Sequence, residues 1–222
     1  MEISITELLG YVFVVVAGIL PVVNPFSTAP LFVSLTKGMK VEEQIKQANR
    51  ACLYMAGILL GSFFLGAIIL DFFGITIPAI RLAGGLIIAY IGFGMLFPKE
   101  QAVSDEIVEE GIRTKDFAFT PLAMPMLSGP GSIAVVLEMS ARVAEEPNAL
   151  AQVLGGVVVS TGILLVVFVC LFVLRSARRM VTKISAASVD AFSKILGFLL
   201  ICIGIQFAAG GVMGFVSSMP GS

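Results

Sequence analysis

Six long apolar segments, separated by short polar stretches, run through the whole chain. They cover approximately residues 7–36, 50–71, 79–97, 117–140, 150–174 and 191–215. Each is close to or above the ~20 residues that an α-helix needs to cross the hydrocarbon layer of a bilayer. The pattern therefore predicts an all-α membrane protein with six transmembrane helices.

The first and fourth segments contain residues that interrupt a helix. The first holds Pro21-Val22-Val23-Asn24-Pro25-Phe26-Ser27-Thr28-Ala29-Pro30, and the fourth holds Pro125-Met126-Leu127-Ser128-Gly129-Pro130-Gly131-Ser132-Ile133-Ala134. An interior proline removes a backbone donor and clashes with the preceding turn. In hydrocarbon, the freed backbone groups persist only where protein or a wet cavity satisfies them. We therefore expect spans 1 and 4 to be broken at mid-membrane, with a simple proline kink as the alternative.

The two breaks belong to a weak internal repeat. Residues 24–29 align with 129–134, residues 57–62 with 156–161, and residues 85–92 with 197–204, in the same order along the chain. An odd number of spans per half makes the second half enter the membrane from the opposite side, as in many secondary transporters. The pattern predicts one transmembrane domain, 1–222, built from two inverted three-helix repeats, 1–98 and 117–222, joined by a cytoplasmic linker, 99–116. Chance similarity between apolar helices is the alternative.

The basic residues predict the orientation. If the N-terminus is outside, the inner connections carry twelve Lys and Arg residues, and the outer side carries only Arg81 and Arg142. Such an excess on one side marks the cytoplasmic face. We therefore expect a multi-pass protein of the plasma or inner membrane with the N-terminus and C-terminus outside.

Composition excludes several classes of function. The chain is 58% hydrophobic and 13% charged, with a mean hydropathy of +1.03 and no histidine. An enzyme is not expected, because there is no His-based nucleophile system and no pair of carboxylates deep in the spans. No basic patch suited to nucleic acid is present. The three cysteines are scattered without metal-ligand spacing and indicate neither a metal site nor disulfides.

The breaks are the candidate substrate site. A half-helix that begins inside the membrane presents free N–H groups and the positive end of its dipole. Because the halves are inverted, two such ends are expected to face each other and to bind an anionic group such as a carboxylate. The carbonyls of Val22, Val23, Leu127 and Ser128 are candidates to hold an ammonium group or Na⁺. The predicted substrate-binding residues are Asn24, Pro25, Phe26, Ser27, Thr28, Gly129, Pro130, Gly131, Ser132 and Ile133.

Weaker candidates lie elsewhere in the spans. Tyr90, Thr120 and Gln206 are polar groups that either line a pathway or bond to neighbouring backbone. Asp71 and Glu138 lie near span ends and are interpreted as interfacial, with an Asp71–Arg81 pair as a possible outer gate. No cofactor is expected. If transport is coupled, Na⁺ or H⁺ is the candidate ion.

The chain resembles the MarC family of six-span bacterial and archaeal membrane proteins, which are also classed as neutral amino acid transporters and grouped with the LysE superfamily of exporters. The resemblance rests on Asn24-Pro25 and Pro30 in the first span, Gly129-Pro130-Gly131-Ser132-Ile133 in the fourth, and Arg81-Leu82-Ala83-Gly84-Gly85 at the start of the third. It covers essentially the whole chain. It implies uptake or exchange of small neutral amino acids such as glycine and alanine.

The leading hypothesis is therefore a secondary transporter of small zwitterions that works by alternating access. Two alternatives stay open at this stage. One is a channel or facilitator for a small solute, since half-helix dipoles also occur in channels. The other is an exporter of metabolites or drugs. The exact substrate, the direction of transport and the oligomeric state do not follow from the sequence.

Overall fold

The computed structural model describes residues 5–98, 117–183 and 186–218, and within these ranges the chain is helical. The predicted linker, 99–116, lies outside the described residues. Eight helical segments follow one another: α1 (Ile5–Val23), α2 (Pro25–Leu35), α3 (Val41–Phe72), α4 (Ile77–Leu96), α5 (Ala118–Leu127), α6 (Pro130–Ala144), α7 (Ala149–Lys183) and α8 (Ala186–Ser217).

These helices confirm an all-helical membrane architecture. Helices α1, α3, α4, α7 and α8 are each long and apolar enough to cross a membrane. Segments α5 and α6 meet the same criteria only together, across a bend of 63°. The described residues therefore hold five candidate spans, or six if the bent pair counts as one, and α2 is a shorter apolar helix that follows α1.

Some helices extend beyond the apolar stretches that predicted them. Helix α3 begins at Val41 rather than near residue 50, and its first turn carries Glu42 and Glu43. Carboxylates at a helix N-terminus interact favourably with the helix dipole. The polar residues before the apolar run therefore continue the helix, which hydrophobicity alone does not reveal.

Helices α4 and α8 form an antiparallel pair in close contact along their length. A Cβ on Gly204 would lie 2.5 Å from the Gly85 carbonyl oxygen, and one on Gly92 would lie 2.6 Å from the Gly197 carbonyl oxygen. Glycine is the residue that lets two backbones approach so closely in a membrane. This contact explains the glycines that recur along both helices.

The other long helices pack around the broken segments. Helix α3 contacts α5 and α6, whereas α7 contacts α1 and α2, and α3 and α7 also contact each other. One continuous apolar core joins them, with Ile19, Met55, Leu59, Leu127 and Ile163 almost completely buried. The breaks therefore lie inside the bundle rather than at its edge.

Candidate functional site

The first break is a single residue, Asn24, between α1 and α2. Its backbone is left-handed (φ 43°, ψ 69°), a conformation that asparagine adopts more readily than most residues. Its N–H donates to the Leu20 carbonyl at 3.0 Å and so closes the last turn of α1. Pro25, which has no N–H to lose, is the first residue of α2. Helices α1 and α2 continue through Pro21 and Pro30, so of the three prolines only Pro25 stands at the break.

The Asn24 side chain holds the start of α2 together. Its Oδ1 accepts a hydrogen bond from the Ser27 N–H at 3.3 Å, and its Nδ2 donates to Ser27 Oγ at 2.7 Å. The same Nδ2 lies 3.7 Å from the sulfur of Met95 in α4. Thr28 Oγ1 donates to the Asn24 carbonyl at 3.4 Å. Asn24 is buried. Its side chain therefore has two roles inside the protein, because it caps α2 and contacts α4.

The second break lies between α5 and α6, at Ser128 and Gly129. Segment α5 is irregular, because Thr120 and Met124 have extended dihedral angles inside it. Helix α6 begins at Pro130, as α2 begins at Pro25. The Ser132 hydroxyl donates to the Gly129 carbonyl at 2.9 Å, and Ser132 is buried. Both predicted breaks are therefore present at the predicted residues.

The two breaks lie next to each other. A Cβ on Gly131 would lie 3.0 Å from Val22 Cγ1 and 3.0 Å from Ile91 Cδ1. The first turn of α6 therefore touches the last turn of α1, immediately before α2 begins. Because Asn24 contacts Met95 and Gly131 lies beside Ile91, the breaks differ in level along α4 by roughly 6 Å, at 1.5 Å per residue. Their mid-membrane depth stays a prediction.

Ser128 carries a polar atom that sequence reasoning had not singled out. Its side chain is 0% exposed, and its hydroxyl has no hydrogen-bond partner among the described residues. Buried hydroxyls in native structures are almost always hydrogen-bonded. The sequence had drawn attention only to the backbone carbonyl of this residue. Its hydroxyl therefore adds an unsatisfied donor and acceptor one residue before Gly129.

The remaining predicted substrate residues have different environments. The Phe26 ring stacks edge-on against Phe192 of α8 at 5.3 Å, and Ser27 Oγ lies 3.1 Å from Ser193 Oγ. Thr28 is buried, Gly129 and Ile133 are half-buried, and Ser27 and Pro130 are exposed. The breaks are thus accessible at some positions and closed at others.

The three weaker pathway candidates are on the surface of the chain. Tyr90 is 80% exposed, and Thr120 and Gln206 are also exposed. Exposed positions on apolar helices of a membrane protein usually face lipid or another subunit. Their assignment to a pathway stays a prediction.

The structure corrects the interpretation of the charged residues near the helix ends. Arg81 Nε donates to Glu138 Oε1 at 2.8 Å, so Arg81 of α4 pairs with Glu138 and not with Asp71. Arg142, one turn further along α6, also pairs with Glu138. Glu138 is only 3% exposed, so its carboxylate is buried within the protein; its interfacial depth stays a prediction. The Arg81–Glu138 pair was not predictable from local sequence, because the two residues are 57 positions apart. The spacing of Glu138 and Arg142, four residues apart on an apolar helix, was the available signal for a buried ion pair.

Long apolar helices, two adjacent breaks and a buried ion pair define a polytopic membrane protein with interrupted spans. The chain belongs to the MarC family: residues 9–216 match the model of the "MarC family integral membrane protein". It is 35% identical over 209 residues to the "UPF0056 inner membrane protein MarC" of Escherichia coli (strain K12) and to that of Shigella flexneri, over 90% of this chain and 93% of each relative. No solved structure matches the chain.

Proposed function

We propose that this chain is a secondary transporter of small neutral amino acids of the glycine and alanine type, and that the substrate binds at the two breaks. The observation that carries the proposal is the contact between Gly131 and Val22, which brings the start of α6 beside the start of α2. Each helix start presents backbone N–H groups and a positive dipole end. Two such ends stabilise a carboxylate without a cationic side chain.

The polar groups at the breaks suit a small zwitterion. The unpartnered hydroxyl of Ser128 can bond to either end of the substrate, and Ser132 can turn its hydroxyl from the Gly129 carbonyl to a carboxylate. A Cβ on Gly131 would already crowd Val22 and Ile91. The limited space supports a substrate with a very small side chain.

We infer that the two halves are inverted repeats. In the sequence alignment, Gly85 corresponds to Gly197 and Gly92 to Gly204. If the two halves are exchanged, the contact between Gly85 and Gly204 corresponds to a contact between Gly197 and Gly92. Both contacts are observed. In the same way, the packing of α3 against α5 and α6 in the structure corresponds to the packing of α7 against α1 and α2. Such reciprocity is expected for a pseudo-two-fold axis in the membrane plane.

We assign the chain to the inner membrane, since its relatives are named inner membrane proteins. The distribution of Lys and Arg predicts that both termini are outside. Transport by alternating access then moves one group of helices relative to the other around the breaks. A coupling ion, Na⁺ or H⁺, stays part of the proposal.

The proposal is tested by uptake of labelled glycine into proteoliposomes. We expect saturable uptake and counterflow, with alanine as a competitor and glycine methyl ester, which has no carboxylate, as a poor one. Ser132→Ala should raise the apparent KM for glycine by about ten-fold or more, because a hydrogen bond to a charged group is worth ~1.5–3 kcal/mol. Asn24→Ala should also raise it, because the Asn24 side chain holds Ser27 at the start of α2. Ser217→Ala, which removes a hydroxyl bonded within the last turn of α8, is the matched control and should leave KM unchanged.

Two outcomes would contradict the proposal. Flux that rises linearly with glycine concentration and shows no counterflow would indicate a channel. Equal competition by glycine and its methyl ester would show that helix N-termini do not bind the substrate carboxylate.

A further inference from the structure

A cavity lies close to the breaks, on the side where α6 carries Arg142. Four helices, α1, α6, α7 and α8, line a cavity of about 600 Å³ that is open on the side of the exposed Tyr11 and Val14. Cavities of this size are typical of small-molecule sites. Its walls are mainly aliphatic and include Val15, Gly18, Val135, Val158 and Ile203.

Charged side chains of both signs line this cavity. Glu138, Arg142 and Glu146 of α6 and its C-terminal turn are among the lining residues. Glu138 is buried and already paired with both Arg81 and Arg142, whereas the Arg142 side chain is 58% exposed and its guanidinium has donors left for a ligand. Glu146 is exposed and adds a carboxylate at the same end. Arg142 and Glu146 are therefore the exposed charges of opposite sign at this end of the cavity.

The cavity ends close to the breaks. Gly18 lies one helical turn before Val22, and Val135 lies one turn after Gly131, the two residues whose contact joins the breaks. One turn corresponds to about 6 Å along a helix. The completely buried Ile19 belongs to the intervening turn. The cavity therefore approaches the breaks from the Arg142 side and stops about one turn short of them.

We propose that this cavity binds a zwitterionic amino acid with a branched apolar side chain, such as leucine. The guanidinium of Arg142 donates to the ligand carboxylate, the exposed Glu146 carboxylate accepts from its ammonium group, and the aliphatic walls contact its side chain. A ligand with one charge interacts with only one of Arg142 and Glu146, whereas a zwitterion interacts with both, so the two exposed charges favour a zwitterion. The site differs from the breaks, which have no charged side chain and little space.

The role of this cavity as an entry or regulatory site rests on the proposed transport function, but its ligand binding does not. The chain contains no tryptophan, so one introduced indole is a unique fluorophore. Val14 lines the cavity and is 64% exposed, which makes Val14→Trp a suitable reporter. The purified variant in detergent is titrated with leucine, with 3-methylbutylamine, which lacks the carboxylate, and with 4-methylpentanoate, which lacks the ammonium group.

We expect a saturable fluorescence change with leucine, and binding weaker by about ten-fold or more for each analogue, since each loses a charge-assisted hydrogen bond. Arg142→Gln in the reporter background should weaken leucine binding by a similar factor. Gly18→Leu should also abolish binding by filling the cavity; the added Cβ meets only the end of the flexible Met139 side chain, at 3.4 Å. Lys194→Gln, which breaks an exposed ion pair with Asp190 on α8, is the matched control and should leave binding unchanged.

Equal binding of leucine and its two analogues would overturn the proposal and indicate an apolar groove for lipid or detergent. Unchanged leucine binding in both Arg142→Gln and Gly18→Leu would overturn it as well. Leucine binding with the expected pattern, together with absent glycine uptake, would support this site and contradict the transport proposal.

Discussion

The Ser128 hydroxyl distinguishes a binding role from a structural role at the second break. A buried hydroxyl without a partner destabilises the folded state, because it loses its bonds to water and gains none. We expect Ser128→Ala to leave the melting temperature in detergent unchanged or to raise it. If the hydroxyl bonds to substrate, the same change raises the apparent KM for glycine by about five-fold or more, since a neutral hydrogen bond is worth ~1 kcal/mol.

This split between stability and affinity is the informative result for Ser128. A fall in melting temperature with unchanged glycine affinity would show that the hydroxyl supports the fold and not the substrate. Ser132→Ala is a useful comparison, because the Ser132 hydroxyl already bonds to the Gly129 carbonyl. Its loss should lower both the melting temperature and the affinity for glycine.

Individual residues show why the sequence predicted the breaks better than the polar contacts. Pro25 and Pro130 act through their own backbone, and Asn24 acts through its backbone and a side-chain cap only three residues away, so their effect on a helix is local and readable from the sequence. The Arg81–Glu138 pair and the burial of Ser128 depend on which helices pack together. Such information is not local, and the sequence suggested only Asp71 as a possible partner for Arg81, whereas the observed partner is Glu138.

At the scale of helices, the contact between α4 and α8 depends on glycine at specific positions. A Cβ on Gly204 would lie 2.5 Å from the Ala89 backbone nitrogen and from the Gly85 carbonyl oxygen, and neither backbone atom can rotate away. Gly204→Ala should therefore separate the helices and destabilise the protein by about 1–3 kcal/mol, as overpacking does elsewhere. The measurement is thermal unfolding in detergent.

Gly210→Ala is the control for that prediction. Gly210 belongs to the same helix, and a Cβ added there would have no atom of another residue within 4 Å, apart from its own helix backbone and chain neighbours. Alanine is the better helix former, so this change should leave the melting temperature equal or slightly higher. Equal melting temperatures for the two variants would show that the close α4–α8 contact does not stabilise the fold.

The helices also differ in how far their apolar pattern reveals them. Helix α4 follows its apolar run closely, α8 begins five residues before its run, and α5 is irregular around Thr120 and Met124. Each of these two residues precedes a proline, which disfavours the α conformation. The sequence predicts a break in this span, but the path of the chain through the irregular segment depends on its packing against α3.

In the molecule as a whole, the two halves are not packed equally. Helices α4 and α6 touch along several turns, from the Arg81–Glu138 pair to the Ile91–Gly131 contact. In the repeat alignment the corresponding pair is α8 and α2, and their contact is less extensive. In the repeat alignment, Phe26 corresponds to Gly131 and Ile203 to Ile91. Exact symmetry would therefore put Phe26 beside Ile203, but it packs against Phe192 instead. The proposed alternating access predicts such a difference, since in an inverted-repeat transporter one side is closed when the other is open.

If transport requires α4 and α6 to separate, a covalent link between them stops it. A Cβ on Gly84 would lie 3.0 Å from Ala134 Cβ, slightly below the about 3.5–4.5 Å of a disulfide, so Gly84→Cys/Ala134→Cys should form one on mild oxidation. We expect oxidation to abolish glycine uptake and reduction to restore it, in a background where the exposed Cys202 is replaced by alanine.

The control is Gly66→Cys/Ser140→Cys, with 3.2 Å between the corresponding atoms. It links α3 to α6, whose packing recurs between α7 and α2 in the other half and so need not change during transport. Full uptake by the cross-linked α4–α6 variant would contradict alternating access at this interface, whereas loss of uptake in the control alone would assign the motion to α3.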